Sequence, residues 1–284
     1  APDLVATRKV DAMVQAGIDR VLSMQTPTGG FAYWPGSGSP DTWGTVYATH
    51  FLLDATSAGF PVPKAALDDA VGWIGKQATR DDSDWRWSQP YGLYVLARAG
   101  QPRTAQALRA LAGLPSDASA EDRYLLKAAA WVGGATRFEG DLKRPEVTRI
   151  QRKAWAWRTY GSDLRQQGMI LAVFRDLFGA DTGGDALANS VAMELGQNGS
   201  RWYYTTQEMA WGVTGLGKSV AAAPKDVPVH LFAGTELAAK KDDAGWTWAL
   251  AGAGKLPSVT LSGAAGLTAV VTTEGVRAVD DTPY

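Results

Sequence analysis

The stretch Gly29–Ala55, "GGFAYWPGSGSPDTWGTVYATHFLLDA", decides the fold. Two glycines lead into three aromatic residues, Phe31, Tyr33 and Trp34, and a turn rich in glycine, serine and proline follows them. The segment after the turn, Thr45–Ala55, has the composition of a helix but is apolar round most of its circumference. A helix of that kind has to be covered on several sides by other elements.

Helices of the same apolar kind recur along the chain and alternate with one-sided helices. Four further apolar segments are Tyr91–Ala99, Tyr124–Val132, Gly168–Phe178 and Met209–Gly217. Between them, apolar residues follow the i, i+3, i+4 spacing of a helix with one buried face, beginning with Val10–Leu22. This alternation predicts two concentric layers, which is the arrangement of an α/α toroid of helical hairpins. The fold class is therefore mainly α.

An aromatic cluster recurs where the chain is expected to cross from the outer layer to the inner layer. The four clusters are Phe31–Trp34, Asp84–Trp87, Trp155–Trp157 and Arg201–Tyr204. We expect their rings to fill the gaps between successive hairpins, because large aromatic side chains are favoured at such packing positions.

The texture of the sequence changes near Pro224. Short runs rich in valine, threonine and aromatic residues follow, separated by glycine, proline and charged turns, and this pattern is typical of β-strands. The tail is too short for a free-standing sandwich, and it predicts no more than four strands. We therefore expect an incomplete toroid over residues 1–223 and part of a β domain over residues 224–284.

Composition excludes several classes of function. The net charge of −1 gives no electrostatic reason to expect nucleic acid or an anionic membrane as a partner. The absence of cysteine excludes disulfides, thiolate metal sites and a cysteine nucleophile. No apolar run reaches the roughly 18 residues of a membrane span. The two histidines, His50 and His230, are expected on different elements, so we predict neither a metal site nor a cofactor.

Acidic residues stand near the start of each predicted inner helix, and two interpretations remain open for them. In one, they converge on the mouth of the toroid as the acid and base of a polysaccharide lyase or glycosidase. In the other, they cap helix N-termini, where carboxylates are favoured by the backbone N–H groups and the helix dipole. The residues concerned are Asp41, Asp84, Asp122, Asp163 and Glu208. Thr205 followed by Glu208 matches a capping box at the start of an inner helix.

Four blocks together resemble the thioester-containing helical domain of bacterial α2-macroglobulins. They are "GIDRVLSMQTPTGGFAYWPG" from Gly17, "DTWGTVYATHFLLDATSAGFPVP" from Asp41, "YGSDLRQQGMIL" from Tyr160 and "RWYYTTQEMAWGVTGLGK" from Arg201. The resemblance extends from about Val10 to Lys218, and the β-rich tail suits the segment that follows this domain in the family.

The resemblance implies a fragment of a broad-spectrum protease inhibitor of bacterial defence, located in the periplasm or at the cell surface. In that family a protease cuts a bait segment, and the inhibitor then rearranges and entraps it. Members with a Cys-x-Glu-Gln thioester also acylate an amine of the protease. The implied partners are target proteases, bound by the full-length parent, and neighbouring β domains of the same chain. The fragment is not expected to be an enzyme.

The sequence departs from the family pattern at the thioester. Without cysteine this chain contains no thioester, and the family motif lies upstream of the helix that matches Arg8–Gln25. We therefore expect a fragment that lacks the first inner helix, with any membrane anchor in the missing N-terminal part. A family member that never had a thioester and traps proteases non-covalently remains an alternative.

Residues at the starts of inner helices are the candidates for sheltering such a thioester at the mouth of the toroid. A carbohydrate-active toroid enzyme and a pure binding scaffold remain the alternative functions. The candidate mouth residues are Trp34, Trp43, Tyr47, Tyr160, Gln207 and Glu208.

Overall fold

The structure is a computed structural model that describes residues 10–80, 83–145, 162–196, 204–222, 229–242, 245–249 and 258–263. Two short 3₁₀ helices, Thr136–Phe138 and Thr182–Gly184, accompany the α-helices. The α-helices are α1 Val10–Leu22, α2 Thr42–Ser57, α3 Lys64–Gln77, α4 Ser83–Arg98, α5 Thr104–Ala112, α6 Ala120–Val132, α7 Glu139–Leu142, α8 Asp163–Phe178, α9 Asp185–Gly196 and α10 Thr206–Ala222.

The predicted alternation of buried and one-sided helices is confirmed. Helix α8 buries 11 of its 16 residues, from Leu164 to Arg175, whereas α5 buries only Ala107. Successive apolar helices pack directly on one another, α2 on α4, α4 on α6 and α6 on α8. One-sided helices pack outside them, with α5 against α6 and α9 against α8. The described helices therefore form an inner and an outer layer, as in an α/α toroid.

The inner helices run in the same direction, which follows from the side chains that meet at each end. Near the helix starts, Arg165 of α8 contacts Glu121 of α6 and the ring of Trp43 of α2. Near the helix ends, Arg98 of α4 contacts Asp176 of α8. Parallel inner helices place their positive dipole ends at one mouth and their negative ends at the other.

Side-chain caps are present at the starts of four of the described α-helices. Asp41 accepts from the Gly44 N–H at 2.6 Å, and Ser119 accepts from the Asp122 N–H at 2.9 Å. Ser162 accepts from the Arg165 N–H in the same way. The expected capping box of α10 is confirmed, because Glu208 accepts from the Thr205 N–H and the Thr205 hydroxyl accepts from the Glu208 N–H.

Two glycines allow α8 and α10 to approach at backbone distance. A Cβ atom added at Gly168 would lie 2.5 Å from the carbonyl carbon of Trp211. A Cβ atom at Gly215 would lie 2.7 Å from the carbonyl oxygen of Gly168. Side chains at either position would push the two helices apart, and the charged residues that join these helices would separate with them.

The expectation that the aromatic clusters fill the gaps between hairpins is wrong for some of the rings in the first two clusters, while Trp155–Trp157 and residues 201–203 lie outside the described residues. Phe31 is 3% exposed and Trp85 is 1% exposed, whereas Trp34 is 73% exposed and Trp87 is 40% exposed. Phe31 bonds through its backbone to Thr45 of α2, which directs its ring inward. The first cluster therefore supplies one ring to the interior and two to the surface, since Tyr33 is exposed as well, and the second supplies one to each.

The chain divides into two compact units, Ala1–Ser219 and Val220–Tyr284. In the second, the described residues contain five short strands, so the expected limit of four is wrong. The strands are β1 His230–Ala233, β2 Thr235–Glu236, β3 Lys240–Asp242, β4 Gly245–Thr247 and β5 Thr260–Ser262.

Antiparallel pairing joins these strands into two small sheets. Strand β1 lies between β2 and β5, and β3 pairs with β4 in a separate hairpin. The predicted runs that contain β1, β4 and β5 thus form strands, whereas the last predicted run, residues 266–279, lies outside the described residues. Within the described parts of the chain, no helix has the length and apolar character that crossing a membrane requires.

Candidate functional site

A buried ion pair occupies the mouth where the inner helices begin. The Arg165 guanidinium, 1% exposed, donates from Nη1 to both carboxylate oxygens of Glu121, at 2.9 and 2.7 Å. Its Cζ lies 4.9 Å from the centroid of a Trp43 ring, in a cation–π contact. Glu121 at a helix start also faces the positive end of the α6 dipole. Burial removes water from both charges, so each depends on the other.

Three predicted mouth residues lie close to this ion pair. Trp43 contacts Arg165 and packs on Tyr91 with ring centroids 5.2 Å apart. Burial raises the pKa of Tyr47, while the nearby Arg165 charge and a hydrogen bond with Gln207 oppose that rise. The structure therefore brings Trp43, Tyr47 and Gln207 into one neighbourhood around Arg165.

Of the other three predicted mouth residues, the structure describes two. Trp34 projects from the loop before α2 and is largely exposed. Glu208 is buried, and its carboxylate serves the first turn of α10. Tyr160 lies outside the described residues.

The acidic residues at helix starts follow the capping interpretation where the structure specifies their contacts. Asp41 and Glu208 both accept from backbone N–H groups of their own helices. Burial, reinforced by the Glu121 charge, raises the pKa of Asp122 to about 6. Because capping accounts for Asp41 and Glu208, the carbohydrate-active alternative is not favoured.

A second charged cluster, here called the four-charge cluster, lies near the ends of the inner helices. It consists of Asp54, Arg98, Asp176 and Lys218. Arg98 bonds to both carboxylates, at 2.9 Å to Asp54 and at shorter range to Asp176. Lys218 also bonds to both, at 2.9 Å to Asp54 and 2.7 Å to Asp176. Two negative and two positive charges thus close a ring of contacts across α2, α4, α8 and α10.

His50 joins the four-charge cluster to the aromatic interior. Its Nδ1 lies 2.9 Å from the Tyr91 hydroxyl, and its Nε2 lies 3.8 Å from Asp54 Oδ1. Burial lowers the pKa of His50 to about 3, because the charged imidazolium would lose its hydration. The Asp54 charge raises this pKa in part, and the Lys218 and Arg98 charges lower it further. His50 is therefore neutral at physiological pH, as a hydrogen-bonded core residue.

The donor set of His50, Asp54 and Asp176 resembles a metal site in spacing but not in charge. One ligand atom from each lies within 4.8 Å of the others. Both carboxylates, however, are already paired with Arg98 and Lys218. A divalent cation would have to displace two positive side chains from a cluster without net negative charge, and this geometry gives no reason to expect a metal.

A small cleft lies between the two charged regions. Its volume is about 80 Å³, and its walls include Tyr47, His50 and Asp54 of α2. Trp211 and Thr214 of α10 form the facing wall. The Trp211 ring lies 5.8 Å from that of Tyr47 and 5.6 Å from that of His50, measured between centroids. The cleft is therefore mainly aromatic, with a carboxylate and a hydroxyl among its polar groups.

Sequence reasoning missed Arg165 and all four members of the four-charge cluster. A signal was available, since each of the four charged residues stands in the last two turns of an inner helix: Asp54, Arg98, Asp176 and Lys218. Charges that occur at matching heights of helices predicted to be buried indicate mutual neutralisation. Applying that test requires knowing that the helices are parallel, which contacts between them reveal.

Comparisons with known proteins agree with this architecture. No protein-family model matches the chain. The alpha-2-macroglobulin of Escherichia coli K12 is 28% identical over 213 residues, which are 70% of this chain. That of Xylella fastidiosa is 24% identical over 243 residues, or 78% of this chain. The chain is homologous to part of the bacterial alpha-2-macroglobulins. It spans 13% and 14% of the length of these two relatives.

Solved structures of bacterial alpha-2-macroglobulins share the fold. The native Escherichia coli protein has a TM-score of 0.63 and 21% identity, covering 89% of this chain and 16% of the other. The Salmonella protein reacted with methylamine has a TM-score of 0.63 and 21% identity, covering 90% of this chain and 16% of the other. The sequence relatives confirm the resemblance to bacterial alpha-2-macroglobulins, and the solved structures confirm the mainly α fold.

Proposed function

We propose that the chain is a fragment of a bacterial alpha-2-macroglobulin-like inhibitor that traps proteases after cleavage of a bait segment. The observation that carries this proposal is the homology over 70–78% of the chain. A solved structure of a similar protein supports it, since this is the Escherichia coli alpha-2-macroglobulin activated by porcine elastase. The activity belongs to the whole parent, of which this chain forms one part.

The helical unit contributes rigidity to this function. Ion pairs join the inner helices near both ends, and Gly168 and Gly215 bring α8 and α10 into close contact between them. A unit built in this way moves as one body when the parent rearranges, because its packed layers resist internal deformation. Domain-scale movement then transmits bait cleavage without unfolding the helices.

The mouth of the inner helices is the proposed sheltering surface for a thioester, if the parent carries one. Water has to be kept from such an acyl donor until an amine attacks it. The neighbourhood of Arg165 suits this role, because its guanidinium is buried against the Trp43 ring and Tyr47 lies close by. We assign the sheltering role to Trp43, Tyr47 and Gln207 in this neighbourhood, and we propose that Trp34, Tyr160 and Glu208 extend the same surface.

On this proposal the chain has no catalytic turnover of its own and requires no cofactor. Its partners are target proteases, reached through the parent, and neighbouring β domains of the same chain. We place the parent outside the cytoplasm, in the periplasm or at the cell surface, where secreted proteases of competitors or hosts are encountered.

Protease trapping is tested with the full-length parent and elastase. We expect the mixture to lose activity against casein while it retains activity against a small chromogenic peptide, because entrapment blocks large substrates only. Heat-unfolded parent is the control. Unchanged casein digestion at excess parent contradicts the proposal. Pretreatment with methylamine, followed by titration of released thiol, separates a thioester-bearing inhibitor from a non-covalent one.

A further inference from the structure

One face of α2 carries aromatic and polar side chains from the mouth to the four-charge cluster. Its members follow the spacing i, i+4, i+7, i+11, which places them in one row along the helix: Trp43, Tyr47, His50 and Asp54. The first of them contacts the guanidinium of the buried ion pair, and the last belongs to the four-charge cluster. This row therefore reaches both charged regions of the inner layer.

Tyr91 of α4 bridges the middle of the row. Its ring centroid lies 5.2 Å from that of Trp43, and its hydroxyl oxygen lies 2.9 Å from His50 Nδ1. Burial raises the pKa of Tyr91 well above its usual value, the Arg165 charge lowers that pKa and the Asp54 charge raises it. Tyr91 is thus in electrostatic contact with both charged regions and in direct contact with the side chains between them.

Asp54 sets the direction of the hydrogen bond between Tyr91 and His50. Its Oδ1 lies 3.8 Å from His50 Nε2, which is too far for a hydrogen bond but close enough for the charge to act. A lone pair on Nε2 facing this carboxylate is unfavourable, so we assign the proton of the neutral ring to Nε2. Nδ1 then accepts from the Tyr91 hydroxyl. The charge of Asp54 thereby orients the hydroxyl of the ring on which Trp43 packs.

We propose that Tyr91 and His50 form a link that couples the four-charge cluster to the ion pair at the mouth. When Asp54 loses its charge, the preference for a proton on Nε2 is lost and the Tyr91 hydroxyl is free to turn. The packing of Trp43 then loosens. In the parent this link transmits a change at one end of the helical unit to the sheltering surface, a role that rests on the proposed function. The coupling itself is a property of this chain and does not depend on protease trapping.

Direct interaction between the two ends does not account for such a coupling. Trp43 and Asp54 are 11 residues apart on one helix. A rise of about 1.5 Å per residue separates their backbones by about 16 Å. Substitutions more than about 10 Å apart normally have additive effects on stability. Non-additive effects at Trp43 and Asp54 are therefore a specific signature of the link.

The first test is the tautomer of His50 in the 284-residue chain labelled with ¹⁵N at histidine. The sequence has two histidines, and His230→Gln identifies the signals of His50. At pH 7 we expect the ¹⁵N pattern of a neutral ring with its proton on Nε2. In Asp54→Asn we expect the form with the proton on Nδ1 to appear. A proton on Nδ1 in the unsubstituted chain, or an unchanged tautomer in Asp54→Asn, overturns the proposal.

The second test is a double-mutant cycle between Trp43→Phe and Asp54→Asn, measured by urea denaturation. We expect the unfolding equilibrium constant of the double variant to be at least about fivefold smaller than additive single effects require, because Asp54→Asn has already loosened Trp43. In a Tyr91→Phe background, which keeps the ring but removes the hydroxyl, the same cycle should be additive within about twofold. Additivity with the hydroxyl present, or equal coupling without it, overturns the proposal.

Asp68→Asn is the matched control for the loss of a carboxylate. Asp68 pairs with Lys64 on the exposed side of α3. We expect it to be additive with Trp43→Phe within about twofold. Equal non-additivity there would show a general effect of removing charge and would overturn the link. The tautomer of the unsubstituted helical unit decides the question even where Trp43→Phe or Asp54→Asn does not fold.

Discussion

The two ends of the inner helices carry charge in different ways. At the starts, one arginine and one glutamate are sealed from water, and the Arg165 side chain is 1% exposed. At the ends, two acids and two bases share contacts, and their side chains are between 14% and 28% exposed. We therefore expect the folded chain to depend strongly on the single buried partner of Arg165, and to tolerate the loss of one charge from the four-charge cluster.

The largest expected effect comes from removing the single partner of Arg165. Glu121→Gln removes the carboxylate that bonds directly to the buried guanidinium, and we expect the free energy of unfolding to fall by about 3–5 kcal/mol. Urea denaturation followed by tryptophan fluorescence measures it. The double variant Glu121→Leu with Arg165→Met should recover most of that loss, because it removes the charge as well. A loss below about 1 kcal/mol in Glu121→Gln contradicts the comparison.

The next effect is a difference in pH dependence between His50 and Asp122. In the folded chain the pKa of His50 is about 3, against about 6.5 when unfolded, so acid favours the unfolded state. Between pH 7 and pH 5 this lowers the free energy of unfolding by about 2 kcal/mol. The pKa of Asp122 is raised to about 6, so over the same range its protonation adds about 1 kcal/mol.

Two variants separate these opposing contributions. Relative to the unsubstituted chain, His50→Gln should lose less stability between pH 7 and pH 5, and Asp122→Asn should lose more. Urea denaturation at pH 7, 6 and 5 provides the curves. Parallel pH profiles for all three proteins would show that neither side chain titrates as its surroundings imply.

A smaller effect is expected in the four-charge cluster. Asp176→Asn leaves Asp54 to balance Arg98 and Lys218, and partial access of water lessens the cost of the surplus charge. We expect a loss of about 1–2 kcal/mol by urea denaturation. Asp68→Asn in the exposed pair with Lys64 is the control, with a change below about 0.5 kcal/mol. A loss as large as that of Glu121→Gln would contradict the idea that shared contacts let the four-charge cluster tolerate the loss of one charge.

The smallest effect is expected at Trp34, which belongs to neither charged region. Its ring is 73% exposed, so Trp34→Ala should change the free energy of unfolding by less than about 0.5 kcal/mol. Phe31→Ala in the same aromatic cluster is the matched control and should cost about 3–5 kcal/mol, because that ring is 3% exposed. Thermal melts of the two variants make the comparison, and equal losses would contradict the inward and outward assignment.

Local patterns were sufficient for the layers and for several helix starts. The apolar circumference of Gly168–Phe178 predicted its burial, and Thr205 with Glu208 predicted a capping box. They were insufficient for the aromatic clusters, because Phe31 and Trp34 are both aromatic residues of one cluster and yet one is buried and the other is exposed. That difference depends on the hydrogen bond from the Phe31 backbone N–H to the Thr45 hydroxyl, which the sequence pattern does not specify.

The sequence by itself determined which helices are buried, because apolar periodicity is a property of each segment alone. Tertiary structure decided which charges meet, since Glu121 and Arg165 are 44 residues apart and Arg98 and Asp176 are 78 apart. Pairing over such separations depends on the order and direction in which helices pack. The sequence therefore shows that a charge on a buried helix needs a partner, because its desolvation is unfavourable. Which residue is that partner is fixed only when the inner helices are aligned in parallel.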